Sequence, residues 1–247
     1  MMTPYKRVMA VLNHEKPDKI PLTIYENFTK YMTCEQGLKE RGLCVIYRMS
    51  SWHAGYKDVD IKSDYYQDEY ARNMVRTVYS TPVGEVSMVK EAGHNTMWTR
   101  EYLFKSSDDY KVLQFMAQNR YVKPAYDEAK QKVALLGDDY IVRDTLPLEP
   151  LQSLISSDIM DAITFSLEWY DNRDDILKLY EANTVYNRQI YKIVADSPLE
   201  TVNYGGNVIP QITGPEIFKK YYLPNYQEAA EIVHRKGKLI GTHLDEH

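Results

Sequence analysis

From residue 140 onward the chain alternates short apolar, β-prone runs with longer segments of helical periodicity. This alternation restricts the fold more than any other feature. Residues 140–143 read as a strand, 151–159 and 161–170 as helices, and 201–204 as a second strand. Between them, 174–195 forms a long helix with apolar or aromatic residues at Ile176, Leu177, Leu179, Tyr180, Val185, Tyr186, Ile190 and Tyr191. Residues 214–236 follow as a helix that Pro224 kinks or divides, and 238–243 as a last strand. Strands separated by helices pair in parallel through right-handed crossovers.

The first half begins with a helix over 3–13, capped by Thr3 with Pro4 at its first position, and a strand over 20–24. A helix over 33–41, stopped by Gly42, leads to a strand over 44–49. The middle differs: 75–89 and 96–104 are β-rich around the turn signals STPVGE and EAGHN, as in an antiparallel hairpin. Residues 108–118 and 123–136 read as helices. With no repeat and no low-complexity linker, 1–247 reads as one domain.

Composition narrows function. With 44% hydrophobic and 26% charged residues, 247 residues suffice for a sizeable core. There is no apolar run long enough for a membrane span and no apolar signal core, so neither membrane insertion nor secretion is expected. Cys34 and Cys44 give no disulfide framework, and a reducing cytoplasm is the expected compartment. A net charge of −5 without a basic run argues against nucleic acid. Tyrosine is abundant, 22 against 5 phenylalanines, which fits either half-buried rings or a polar aromatic pocket.

Polar residues gather after the strands: Tyr25, Glu26 and Asn27; Arg48, Trp52 and His53; Asp144; Asn203, Tyr204 and Asn207; His243 and Asp245. Strand C-terminal ends carry the site in (β/α)8 barrels and in doubly wound sheets alike. Glu26 and Asp144 each read as a catalytic acid or as a helix cap. Arg48 reads as a carboxylate anchor, with Trp52 and His53 nearby, or as half of an internal ion pair. Asn203, Tyr204 and Asn207 flank Gly205-Gly206, which permits close approach of a ligand. His243 and Asp245 read as a metal pair, with Glu246 and His247 as further ligands, or as a polar strand end. The acidic run 63–70 reads as a solvated segment.

The stretch TPYKRVMAVLNHEKPDKIP (3–21) resembles the opening of the uroporphyrinogen decarboxylase superfamily. ITGPEIFKKYYLP (212–224), followed by a helix and GTHLD (241–245), is similar to its second half, and TPVG (81–84) and SSDDY (106–110) fit its middle. The resemblance implies a (β/α)8 TIM barrel with an N-terminal helical extension. The Arg-rich RQAGR signature of the decarboxylases is absent after the first strand, which shifts the likeness to the corrinoid-dependent methyltransferase branch. That branch implies zinc and a cobalamin-carrying corrinoid partner protein, with methyl transfer between a small methylated substrate or thiol and the corrinoid. His243 matches the first ligand of its His-x-Cys pair, while Asp245 stands where the cysteine would be. Barrels of this kind continue for roughly two or three more strand–helix units, so the chain reads as incomplete at its C-terminus. Three functions follow as expectations: methyl transfer; decarboxylation of a porphyrinogen or other acidic substrate held by Arg48; and a non-catalytic barrel fragment completed by a partner, a second copy of the chain included.

Overall fold

A computed structural model of the chain describes residues 2–29, 32–94 and 96–245. In order, its elements are α1 (Pro4–Leu12), β1 (Leu22–Tyr25), α2 (Glu26–Thr29), α3 (Glu35–Glu40), β2 (Leu43–Met49), β3 (Trp52–Tyr56), β4 (Asp60–Gln67), β5 (Asn73–Thr81), β6 (Gly84–Ala92) and β7 (Met97–Glu101). There follow α4 (Tyr110–Gln118), β8 (Arg120–Pro124), α5 (Tyr126–Leu136), β9 (Tyr140–Thr145), α6 (Gln152–Ser156), α7 (Ala162–Asp171), α8 (Arg173–Asp196), β10 (Thr201–Val208), α9 (Pro210–Ile217), α10 (Leu223–His234) and β11 (Leu239–Leu244).

The parallel strands form one sheet in the order β1-β2-β9-β10-β11, every neighbouring pair parallel. The sheet curls as a half-barrel but does not close, and β1 and β11 are its edges. This overturns the expected (β/α)8 TIM barrel. The physical reason is strand number: only five parallel strands are paired among the described residues, too few to bring the edges β1 and β11 together. The residues between the adjacent strands β2 and β9 build antiparallel structure outside this sheet: a β3-β8 ribbon and a four-stranded sheet β4-β5-β6-β7. The β-rich runs expected over 75–89 and 96–104 fall on β5, β6 and β7, and β4 extends them into a four-stranded meander. The acidic run is largely the edge strand β4, solvent-exposed along its length.

The two faces of the parallel sheet are covered differently. On the helix face, Val202, Tyr204 and Ile240 pack on Tyr186, Ile190, Tyr191 and Val194 of α8 and on Ala229 and Val233 of α10. Farther along the same face, Tyr47, Met49 and Val142 pack on Ala129 and Leu136 of α5. On the other face α1 covers only one end, where Val8 meets Cys44 and Ile141. That helix begins as expected, with Thr3 Oγ1 accepting a hydrogen bond from the Lys6 amide. The division of 214–236 comes before Pro224: Gly214 takes φ 65° ahead of Pro215, and a π-helical turn spans Phe218–Tyr222. Pro224 then sits in the first turn of α10, where its missing N–H leaves no helical bond unmade. Among the described residues no helix is long and apolar enough to cross a membrane.

Candidate functional site

Side chains alternate between the faces of a strand, so register decides which strand-end residues meet. Arg48 is paired with Arg143, and Met49 with Asp144. Arg143 is in turn paired with Thr201, and Thr145 with Asn203. Tyr25 lies opposite Ile46, two residues before Arg48. Tyr25, Arg48, Arg143, Thr145, Thr201 and Asn203 therefore share the face that α1 covers at its far end. Asp144 and Tyr204 point the opposite way, under the helices.

The open-face group is cationic. Glu26, the first residue after β1, receives Arg48 Nη2 at 2.9 Å and Nε at 3.2 Å on its carboxylate. The Arg48 amide adds a longer bond at 3.3 Å. Burial alone would raise the Glu26 carboxyl, but hydrogen bonds and charge from Arg48 hold it below its ordinary value. The Tyr25 ring stands 4.5 Å from the Arg48 guanidinium carbon and 5.3 Å from that of Arg143. Arg143 forms no salt bridge among the described residues, and its Nε is buried without an acceptor. Thr201 Oγ1, in the next strand of the same row, is likewise buried and unpartnered. Of the two guanidinium groups only that of Arg48 holds a carboxylate. A buried donor left unmade costs about 1–3 kcal/mol, which a bound acceptor would recover.

Asp144 is a structural residue. It is fully buried, and its carboxylate accepts from Ser51 N (3.0 Å), Ser51 Oγ (2.5 Å), Ser197 Oγ (2.9 Å) and the Thr145 amide (2.9 Å). Desolvation raises its carboxyl pKa despite these bonds. It pins the β2–β3 turn and the end of α8 to β9. Trp52 does similar work, donating to the Thr145 carbonyl at 3.0 Å. His53 lies on the β3-β8 ribbon, exposed, 2.7 Å from Glu128.

The remaining sequence-selected residues scatter. Tyr204 is buried, with its hydroxyl bonded to that of Tyr191. Asn203 bonds its neighbour's carbonyl at 3.1 Å, Asn27 is exposed on α2, and Asn207 is an exposed β10 residue at φ 65°. The glycines beside them serve chain packing. A Cβ on Gly205 would lie 2.8 Å from Leu148 Cα, and one on Gly206 would lie 1.9 Å from the His243 carbonyl oxygen. They belong to β10, in place of the expected loop, and the space is filled by protein.

His243 and Asp245 lie at the end of the edge strand β11, His243 Nε2 2.8 Å from Asp245 Oδ1. Each thus occupies an atom a metal would need. Among the described residues no group of three or more His, Cys, Asp or Glu side chains could hold an ion. His243 and Asp245 do not by themselves make a zinc centre, and the further expected ligands Glu246 and His247 lie outside the described residues. Sequence reasoning missed Arg143 and Thr201. The signal was present: in IVRDT, alternation sends Arg143 and Asp144 to opposite faces, so only one of them can join Arg48. No protein-family model matches the chain, nor does any curated protein or solved structure.

Proposed function

We propose that the protein binds a small carboxylate-bearing molecule on the open face of its parallel sheet and acts on it as a carboxy-lyase. The observation that carries this reading is Arg143 beside Arg48: two guanidinium groups in one strand row, of which only Arg48 has an acid, and a buried Arg143 Nε with no acceptor. Guanidinium forks match carboxylates in shape as well as charge. Tyr25 supplies a ring wall to the same space.

A carboxylate held by both arginines is stabilised where it stands, so it is the anchor and not the group that leaves. The substrate then carries a second carboxylate farther along the face. Decarboxylation breaks the bond to that carboxyl carbon, leaves the electron pair on the remaining carbon and requires a proton there. The resemblance to the uroporphyrinogen decarboxylase superfamily supports an acidic substrate. Titration calorimetry with acetate, succinate, glutarate and citrate tests binding, and release of carbon dioxide from the acids that bind tests the reaction. Binding of di- or tricarboxylates above acetate supports the reading; no binding of any of them refutes it.

A second reading, corrinoid-linked methyl transfer, rests on the resemblance of residues 212–224 and 241–245 to that branch of the superfamily. Metal analysis of the purified protein separates the two: stoichiometric zinc, lost in His243→Ala, supports methyl transfer.

A further inference from the structure

A second arginine without a counter-charge lies away from the sheet's open face. Arg120 begins β8 and lines a cavity of about 190 Å³ between the antiparallel sheets and helices α4, α6 and α8. None of Tyr25, Glu26, Arg48, Arg143 or Thr201 lines it. The Arg120 guanidinium donates to Asn183 Oδ1, makes a long contact with the Ala117 carbonyl at 3.4 Å, and lies 4.0 Å from the centre of the Tyr186 ring. It forms no salt bridge among the described residues. The one carboxylate in the cavity wall, Asp158, is already taken: Lys90 Nζ and Thr99 Oγ1 each approach it at 2.5 Å. The rest of the wall is mixed: Met88, Leu113, Met116, Leu154 and Leu179 are apolar, while Tyr56, Tyr79, Ser153 and Asn187 carry polar groups.

A guanidinium withdrawn from water without an anion is costly, and its cost falls when an anion joins it. Here the half-buried cation lines the same hollow as the apolar side chains of Met88, Leu113 and Met116. An engineered apolar cavity of about 150 Å³ holds benzene, so this one has room for a ring and a carboxylate. We propose that the cavity is a second ligand site, for a small monocarboxylate with an apolar or aromatic body, its carboxylate on Arg120 and its body against Met88 and Met116. Burial also lowers the Arg120 pKa, in line with a cation lacking its anion.

Benzoate is the probe and benzyl alcohol its uncharged counterpart. The full chain, carrying ¹³C-methyl methionine, is titrated with each, the Met88 and Met116 signals being assigned through Met88→Leu and Met116→Leu. Benzoate is expected to shift both signals while leaving Met9, on α1, in place, and to bind about tenfold more tightly than benzyl alcohol. In Arg120→Gln that preference disappears. Equal affinity for the two probes in the unaltered protein, or benzoate shifts that spare Met88 and Met116, overturns the proposal. Both readouts come from the unaltered chain and hold even where Arg120→Gln does not fold.

Discussion

Arg48 and Arg143 are register partners on adjacent parallel strands, and both guanidinium groups approach the ring of Tyr25. Only Arg48 has an acid, Glu26 at 2.9 Å. Like charges directly opposite one another in a sheet are destabilising, so this row is an imperfection that a bound anion would relieve.

Removing that imperfection has a measurable consequence. Arg143→Met deletes the second cation and the unpartnered Nε while keeping much of the side-chain volume. The ligand-free protein is expected to gain about 1 kcal/mol, read as a higher urea midpoint, while carboxylate binding is lost. A fall in stability would place Arg143 in a structural role.

Glu26 competes with any bound carboxylate for Arg48. Glu26→Gln is expected to tighten dicarboxylate binding about tenfold while weakening the fold slightly. The pH behaviour follows from a folded-state pKa below the ordinary value. The pair's contribution to stability is present above the ordinary carboxyl pKa and is lost as pH falls through the lower folded value. Urea titrations of the parent and Glu26→Gln should therefore converge in acid and separate above it.

Asp144 anchors three segments and catalyses nothing in this account. Asp144→Ala strands two serine hydroxyls and two amides, and is expected to cost about 2–4 kcal/mol in urea unfolding. Asp144→Asn keeps the shape and most of the partners and should cost less. In both, the molecules that remain folded should bind carboxylates with parental affinity.

Glu149 is the buried carboxyl expected to shape the pH dependence of stability near neutrality. It is fully buried in the loop after β9, accepting from the Leu151 and Gln152 amides and from Asn225. Burial outweighs these bonds and pushes its pKa up to about 8. A raised folded-state pKa means the contribution is complete below the ordinary value and disappears as pH rises through about 8. Stability should fall between pH 5 and 8, and Glu149→Gln should flatten that slope whatever its absolute stability. An unchanged slope would show that other groups set it.

Much of this was legible in the sequence, unevenly. All five parallel strands follow from apolar runs bounded by turn or capping residues, although only the central β2, β9 and β10 are substantially buried and the edges β1 and β11 are largely exposed. Gly42 and Thr3 stand where their turn and cap required. Closure was not legible, since strand–helix alternation is common to open and closed parallel sheets, and the residues of β3 to β8 read only in part as strands. The strand Arg120–Pro124 is not legible, residues 123 and 124 reading as the start of the following helix, because its pairing with Trp52–Tyr56 is non-local. Strand ends were found, but faces were not assigned. Arg48 and Glu26 belong to the open face, whereas Asp144 and Tyr204, equally close to strand ends, are turned into the core. Gly205-Gly206 looked like ligand space because the sequence does not show that Leu148 and His243 fill it.

The most direct test of the account is the arginine side-chain Nε–Hε NMR spectrum of the full chain, with the Arg143 signal assigned through Arg143→Lys and glutarate added stepwise. The account predicts that the Arg143 signal moves progressively to saturation, as expected when a buried, unpartnered donor gains an acceptor. A signal that stays fixed at glutarate concentrations where calorimetry shows binding, or the absence of any binding, would contradict it.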